Sequence, residues 1–352
     1  MDDGITRRGI LVTTAAILGA AAVGIRTMGM RAAAPVQRAM ARLPRATHPL
    51  VPPPPDPATN LPGLSPLLTP TNRFYRIDVA NAPPTVNVDT WRLRIDGLVR
   101  SPREFSYAEL ASREIIERDA TLACVSNPVG GPLVGTARWR GVSLAALLAE
   151  VEPLADADEV LGHSVDDFTA GFPIAAAPGG LIALGMNGEV LPAAHGYPAR
   201  IIVPGLFGYV SAVKWLTRIE LTRFDRAVGT WIPRGWARLG PMKLASRIDR
   251  PHDGDDLPRG RTVIAGVAWS DLHGIGAVSV RVDEGAWRQA RLGPDLGPAA
   301  WRQWWFAWDA APGAHALTVR AVDDRGTVQP GGNVDPAPDG AEGWHRITVH
   351  VA

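Results

Sequence analysis

The sequence predicts an α+β protein: a mixed α/β domain over residues 71–245, then an immunoglobulin-like β-sandwich over 246–352. Two patterns predict it. In the first part, helix-start signals at Ser106 and Ser143 are interleaved with strand-like alternation at Trp91, Leu93 and Ile95 and with a hairpin turn at Asn187-Gly188. From Val263 onward the chain shows only short apolar–polar alternation punctuated by turn residues.

In chain order, the amino terminus reads Thr6-Arg-Arg-Gly-Ile-Leu-Val12 and continues as an alanine-rich, weakly apolar run to Ile25. A basic start followed by such a run predicts an export segment of the twin-arginine type over 1–41, with Ala39-Met40-Ala41 as its small-residue cleavage site. A retained membrane anchor is the alternative. Either one puts the folded part outside the cytoplasm, in a periplasm or on the outer membrane face, where a sole cysteine has no partner to pair with. Residues 42–70 then form a proline-rich linker, with Pro52 to Pro55, Pro57, Pro62, Pro66 and Pro70 favouring an extended, semi-rigid tether.

In the first domain, Trp91-Arg-Leu-Arg-Ile95 reads as a half-buried strand, and Ser106 with Glu109 as a capping box. Ser143 caps a helix running to about Val151. His163–Thr169 and Phe172–Ile174 read as a polar loop, and Ile201-Ile-Val203 as a buried strand. In the second domain one face is expected to collect Val263, Ala265, Val267 and Trp269, then Val278, Val280 and Val282, then Leu317, Val319 and Ala321, and finally Ile347, Val349 and Val351.

Composition narrows the function. The chain is 46% hydrophobic and 20% charged with a net charge of +1, and residues 1–45 carry seven arginines against Asp2 and Asp3, a balance of +5. The remainder therefore holds 1 − 5 = −4, which excludes nucleic-acid binding by charge. No Walker loop, GxGxxG turn, HExxH or CxxCH haem site is present.

The chemistry centres on Cys124, the only cysteine, followed by Val-Ser-Asn-Pro-Val-Gly-Gly-Pro. A thiol at a strand end, before a loop whose glycines admit close backbone approach, reads as a nucleophile needing a base or as a ligand to a bound metal centre. His195, Arg200 and Lys214 stand within twenty residues on glycine-rich turns, a pattern suited to a phosphate: Arg as a fork, Lys as a point charge.

Cys124 in its loop, His195-Gly-Tyr-Pro-Ala-Arg200, Lys214-Trp215 and Gly343-Trp-His-Arg-Ile347 resemble the sulfite oxidase family of molybdopterin-dependent oxidoreductases, as do Phe74-Tyr75-Arg76 and Ala137-Arg-Trp-Arg-Gly141. The resemblance implies a molybdopterin-binding domain with molybdenum–molybdopterin as cofactor, and a sandwich acting as dimerisation domain. It implies Cys124 as the metal ligand and catalytic residue. Asn72, Phe74, Tyr75, Asp166, His195, Arg200, Ser211, Val213 and Lys214 fall at positions that bind the pterin or its phosphate. Arg76 and Arg302 match cationic positions of the substrate pocket. The sulfite-oxidising members also place a pair of arginines after the cysteine loop, whereas here no cation follows before Arg138. Sulfite is therefore one candidate substrate among small oxidisable or reducible molecules. Electrons then pass to or from a separate carrier, a cytochrome or a quinone-linked membrane protein. Two other readings stand beside this one: a non-catalytic extracytoplasmic binding or adhesion protein with a degenerate cofactor domain, and a cysteine-nucleophile hydrolase.

Overall fold

The computed structural model describes residues 43–52 and 56–352. The Arg7-Arg8 pair, the run to Ile25, Ala39–Ala41 and Pro53–Pro55 lie outside the described residues. The described chain is mostly sheet, with three short α-helices.

Two five-stranded sheets build the first half. In one, β1 (Arg92–Gly97), β2 (Arg103–Ser106), β5 (Glu159–Ser164), β6 (Thr169–Pro173) and β10 (Leu216–Thr222) run in the order β2-β1-β10-β5-β6. The β1–β10 pair is parallel and its neighbours are antiparallel. Alternation in β1 falls as expected, with Leu93 and Ile95 fully buried between exposed Arg92 and Arg94. The other sheet holds β3 (Ile116–Ala123), β4 (Val134–Ser143), β7 (Leu181–Met186) and β8 (Glu189–Val190) in sequence order, with β9 (Arg200–Ile202) paired to β7. Asn187 and Gly188 turn the β7–β8 hairpin, both at positive φ (52° and 83°).

Helix α1 (Tyr107–Ala111) carries the full Ser106–Glu109 capping box. Helix α2 (Leu144–Val151) starts at Ser143, whose hydroxyl accepts from the Ala146 amide. It buries Leu144, Leu147, Leu148 and Val151 on one face, against the core that Leu93, Ile95, Val160, Ile201 and Ile219 share. The expected polar loop at 163–174 is instead the β5–β6 hairpin, and only Val165–Phe168 turns. Pairing of β5 with β10 decides this, because the polar residues that suggested a loop cluster at the hairpin tip.

From residue 245 the chain forms a two-sheet sandwich. One sheet contains β11 (Ala245–Arg250), β13 (Gly260–Trp269), β16 (Arg291–Leu292) and β17 (Arg302–Ala310) in the order β11-β13-β17-β16. The second contains β12 (Asp256–Leu257), β14 (Ala277–Val282), β15 (Arg288–Gln289), β18 (Gly313–Val322) and β19 (His345–Val351) in the order β12-β19-β18-β14-β15. Val278, Val280, Leu317, Val319, Ile347 and Val349 enter the shared core as expected. Strand β13 departs from expectation: Ile264 and Ala268 face that core, whereas Val267 and Trp269 pack with Ala123, Val125, Val134, Met242 and Trp301. Both faces of β13 are buried, because the face predicted to be the core is the junction with the first half.

The proline-rich stretch is part of that junction. Beyond a short turn at Pro57–Thr59 and a Leu64-to-Leu61 backbone bond, its residues bond to both halves. The Thr69 amide donates to Thr136 O (2.7 Å) and the Ser65 amide to Asp249 Oδ2 (2.9 Å). Ser65 O accepts from Gln303 Nε2 (2.7 Å), and Leu67 O from Trp301 Nε1 (2.8 Å). What composition predicts as a tether is, over residues 56–70, a strap across the junction.

Candidate active site

Strand β3 delivers Cys124 to the junction. The Cys124 amide donates to Leu133 O (2.9 Å), the Leu133 amide to Asn127 Oδ1 (2.8 Å) and the Gly131 amide to Pro128 O (2.9 Å), so the loop 124–133 is closed by its own backbone. Burial pushes the thiol above its ordinary range, with Ser126 opposing; Sγ lies 3.0 Å from Ser126 Oγ. Its hydrogen-bond partner is a hydroxyl and not an imidazole. A nucleophilic thiolate lacks its activating base here, whereas a metal would ionise the thiol on binding.

The cations gather around one glycine. Gly196 has φ 109°, and a Cβ there would lie 3.1 Å from the Cβ atoms of both Arg200 and Lys214. The Arg200 guanidinium is 5% exposed, donates through Nη1 to His195 O (3.0 Å) and lies 5.0 Å over the Trp139 ring. Its Nε has no partner. Lys214 donates to Ile77 O (3.2 Å), packs 4.7 Å over the Trp215 ring and pairs with Asp78, which also pairs with Arg76. The His195 ring bonds through Nε2 to Thr71 O (3.0 Å), which makes Nε2 the donor.

Aromatic rings pack against the cations. Phe74 stacks on Tyr75 (5.3 Å) and meets Trp139 and His195 edge-on (5.8 Å each). Burial raises the Tyr75 phenol far above its ordinary range, the Cys124 charge adds to this, and Arg200 opposes it. Tyr75 thus stays protonated.

Burial pulls Lys214 down to about 7, with the Arg76 charge adding, and Arg200 down to about 10. His195 is held at about 4 by burial and then by Arg200. Arg200 is buried with an orphaned N–H, Lys214 pairs with Asp78, and partly exposed Arg76 adds a further positive charge, so the cluster is net positive. Such a cluster is complementary to a phosphate dianion, which would meet the unpartnered donor and relieve the crowding. A phosphate-bearing cofactor therefore fits these residues.

The other expected residues divide. Asp166 sits in the β5–β6 turn, accepting from the Phe168 amide (3.4 Å); the Val165 amide donates to Trp215 O (3.0 Å), setting that turn beside Lys214. Ser211, on α3 (Gly208–Ser211), bonds back to Phe207 O (3.0 Å), and the Val213 side chain is in the core, so this segment can offer only backbone. Asn72 is exposed on a groove lined by Thr71, Arg138 and Asn187, with no hydrogen bond tying it to the cations. Arg302 is not brought to Cys124: its guanidinium bonds Gly293 O (3.1 Å), Ile275 O (3.3 Å) and Asp295 (3.1 Å) within the sandwich. Arg138, the first cation after the cysteine loop, is held bidentately by Asp119 (2.7 Å each). Sequence reasoning misses Asp78, Trp139 and the Thr71 carbonyl. Only Trp139 leaves a signal, as an apolar residue between Arg138 and Arg140 on a strand.

Comparison with known proteins gives the family and the shared fold. Residues 80–231 match the family described as oxidoreductase molybdopterin binding domain. The chain is 30% identical over 319 residues to sulfite oxidase of Gallus gallus, covering 75% of this chain and 68% of that one. It is 30% identical to the mitochondrial sulfite oxidase of Macaca fascicularis, covering 76% of this chain but only 59% of that one. Among solved structures, the sulfane dehydrogenase SoxCD of Paracoccus pantotrophus superposes with a TM-score of 0.72 over 92% of this chain and 95% of that chain, at 23% identity; the fold is shared.

The buried imidazole gives a pH test. The folded state binds the His195 proton only near pH 4, whereas an unfolded histidine binds it near 6.5. His195 therefore stabilises the fold fully above the unfolded value, and that contribution is lost as pH falls from 6.5 toward 4. In the cofactor-free chain, His195→Gln should remove a slope of up to about 1.4 kcal/mol per pH unit from denaturant-measured stability in that window. An unchanged slope would show that His195 is not held neutral.

Proposed function

We propose that this chain, which belongs to the sulfite oxidase family of molybdopterin-binding oxidoreductases, is an extracytoplasmic oxidoreductase with Cys124 as thiolate ligand to molybdenum. The observation that carries the reading is the cation cluster around Gly196, in which buried Arg200 keeps an unpartnered N–H. In this reading Arg200, His195 and Lys214 hold the pterin phosphate, and Phe74 and Tyr75 pack the ring system. When bound, the cofactor supplies two-electron or oxygen-atom transfer chemistry.

The chain's own residues do the rest. Cys124 supplies a soft ligand at a partly exposed position at the end of β3. Protonated Tyr75 offers a hydrogen-bond donor in the site. Arg76, whose side chain is 37% exposed, is the cation at the surface of the cluster and draws in anions. With Arg138 and Arg302 bound elsewhere, a full cationic cage for sulfite is missing, so sulfoxides and N-oxides stand beside sulfite as candidate substrates. Electrons pass to or from a separate cytochrome or quinone-linked partner. A degenerate, non-catalytic domain is the weaker reading, because buried, mutually repelling cations cost stability unless an anion binds them.

Residues 1–41 are proposed to export the folded chain, and the sandwich to be an immunoglobulin-like dimerisation domain. Changing Arg7 and Arg8 together to Lys should trap the protein in the cytoplasm, and the exported protein should scatter light as a dimer. Normal export of the double variant, or a monomer, removes the corresponding assignment.

Two substitutions at the centre should behave differently. Arg200→Ala should lower molybdopterin content by weakening binding roughly 2–4 kcal/mol, two charge-assisted bonds. Cys124→Ser should keep most of the pterin and lose turnover. Full turnover in the serine variant, on whichever of these substrates the wild type uses, would end the ligand assignment.

A further inference from the structure

The loop that carries Cys124 is held from outside its own domain. Arg247, on β11 of the sandwich, donates through Nη1 to Gly131 O (2.8 Å). Its guanidinium is aimed by two other bonds, Nε to Asp249 Oδ1 (2.6 Å) and Nη2 to Ser65 Oγ (2.9 Å). Asp249 in turn accepts from the Ser65 amide (2.9 Å). The side chains of Arg247 and Asp249 are 11% and 5% exposed, so solvent screens this pair little. From β19, His345 closes on the adjacent residue: a Cβ on Gly130, at φ 76°, would lie 2.2 Å from its imidazole. His345 Nδ1 accepts from the Ile248 amide (3.0 Å), which fixes the ring.

These contacts fall on the turn opposite the cysteine. Gly131 O is held by Arg247, and Gly130 is packed by His345. The Leu133 carbonyl and amide, two residues on, bond Cys124 N and Asn127 Oδ1. A shift of the 130–131 turn therefore moves the anchor of the thiol. The sheet β3-β4-β7 with β9 fixes the ends of the loop relative to Arg200, and the sandwich contacts act on its far turn.

We propose that Arg247, aimed by Asp249 and assisted by His345, is a positioning residue that sets the Cys124 loop from the sandwich domain. The inference concerns the loop in the folded chain. It gains catalytic meaning from the reading of Cys124 as metal ligand, on which that meaning rests.

The test uses the full chain produced without cofactor and follows alkylation of Cys124 by N-ethylmaleimide. Cys124 is partly exposed, so the alkylation rate follows how far the loop's position leaves the thiol open to the reagent. Arg247→Ala removes a charge-assisted bond and should raise the rate roughly ten- to a hundredfold. Arg247→Lys, which keeps one donor for Gly131 O, should restore part of the protection. Arg302→Ala, in the same sandwich but bonded away from the loop, serves as control for general loosening. Asp249→Asn serves if Arg247→Ala does not fold, and should raise the rate while leaving the arginine in place. Equal rates in wild type and the Arg247 or Asp249 variants, or an increase matched by Arg302→Ala, would overturn the proposal. Alkylation needs no metal, so this outcome is independent of whether Cys124→Ser keeps turnover.

Discussion

Bringing Arg200, Lys214 and His195 together out of water, around a glycine with no side chain to separate them, is the constraint on which the first half of the molecule depends. Each is shifted against its charged form by burial and then by a neighbouring cation or, for Arg200, by burial alone. Asp78 supplies one opposing charge, and the Trp139 and Trp215 rings supply softer compensation. The residual positive charge has the sign of a phosphate monoester's complement. The fold around it, with β9 paired to β7 and β10 threaded between β1 and β5, holds the cluster rigid before any ligand arrives.

Set against this cradle is a thiol that would not ionise alone. Burial disfavours the thiolate and Ser126 is a neutral partner, so Cys124 suits a metal ligand far better than a free nucleophile. The two halves of the site come from different places: the cradle from the β9–β10 region, the thiol from the end of β3. Phe74 and Tyr75 pack on the cradle side, against His195 and Trp139. The sandwich and the proline-rich strap then fix the thiol-bearing loop from the other side, which makes the second domain part of the site's geometry.

Much of this was legible in the residues. The capping signals at Ser106 and Ser143 and the turn at Asn187-Gly188 are local chemistry, and local chemistry decided them. Cys124, His195, Arg200 and Lys214 were legible because their residue types and glycine spacing have few other uses. Facing of β13 was not, since alternation identifies two faces but cannot say which meets the core when both are buried. The 163–174 segment misled because polar residues at a hairpin tip resemble a loop. Arg302 and Asn72 matched by position in the chain, yet partners that only the fold supplies, such as the Ile275 carbonyl for Arg302, determine where a side chain goes. Asp78 carried no signal at all, because its role exists only through the fold that sets it beside Arg76 and Lys214.

The central claim is that the sole thiol and the buried cation cluster serve one cofactor. X-ray absorption at the molybdenum edge of the purified chain tests it most directly, by counting sulfur neighbours of the metal. The account predicts that Cys124→Ser, with its pterin retained, shows one sulfur neighbour fewer than the wild type. An identical sulfur count in the two proteins would contradict it.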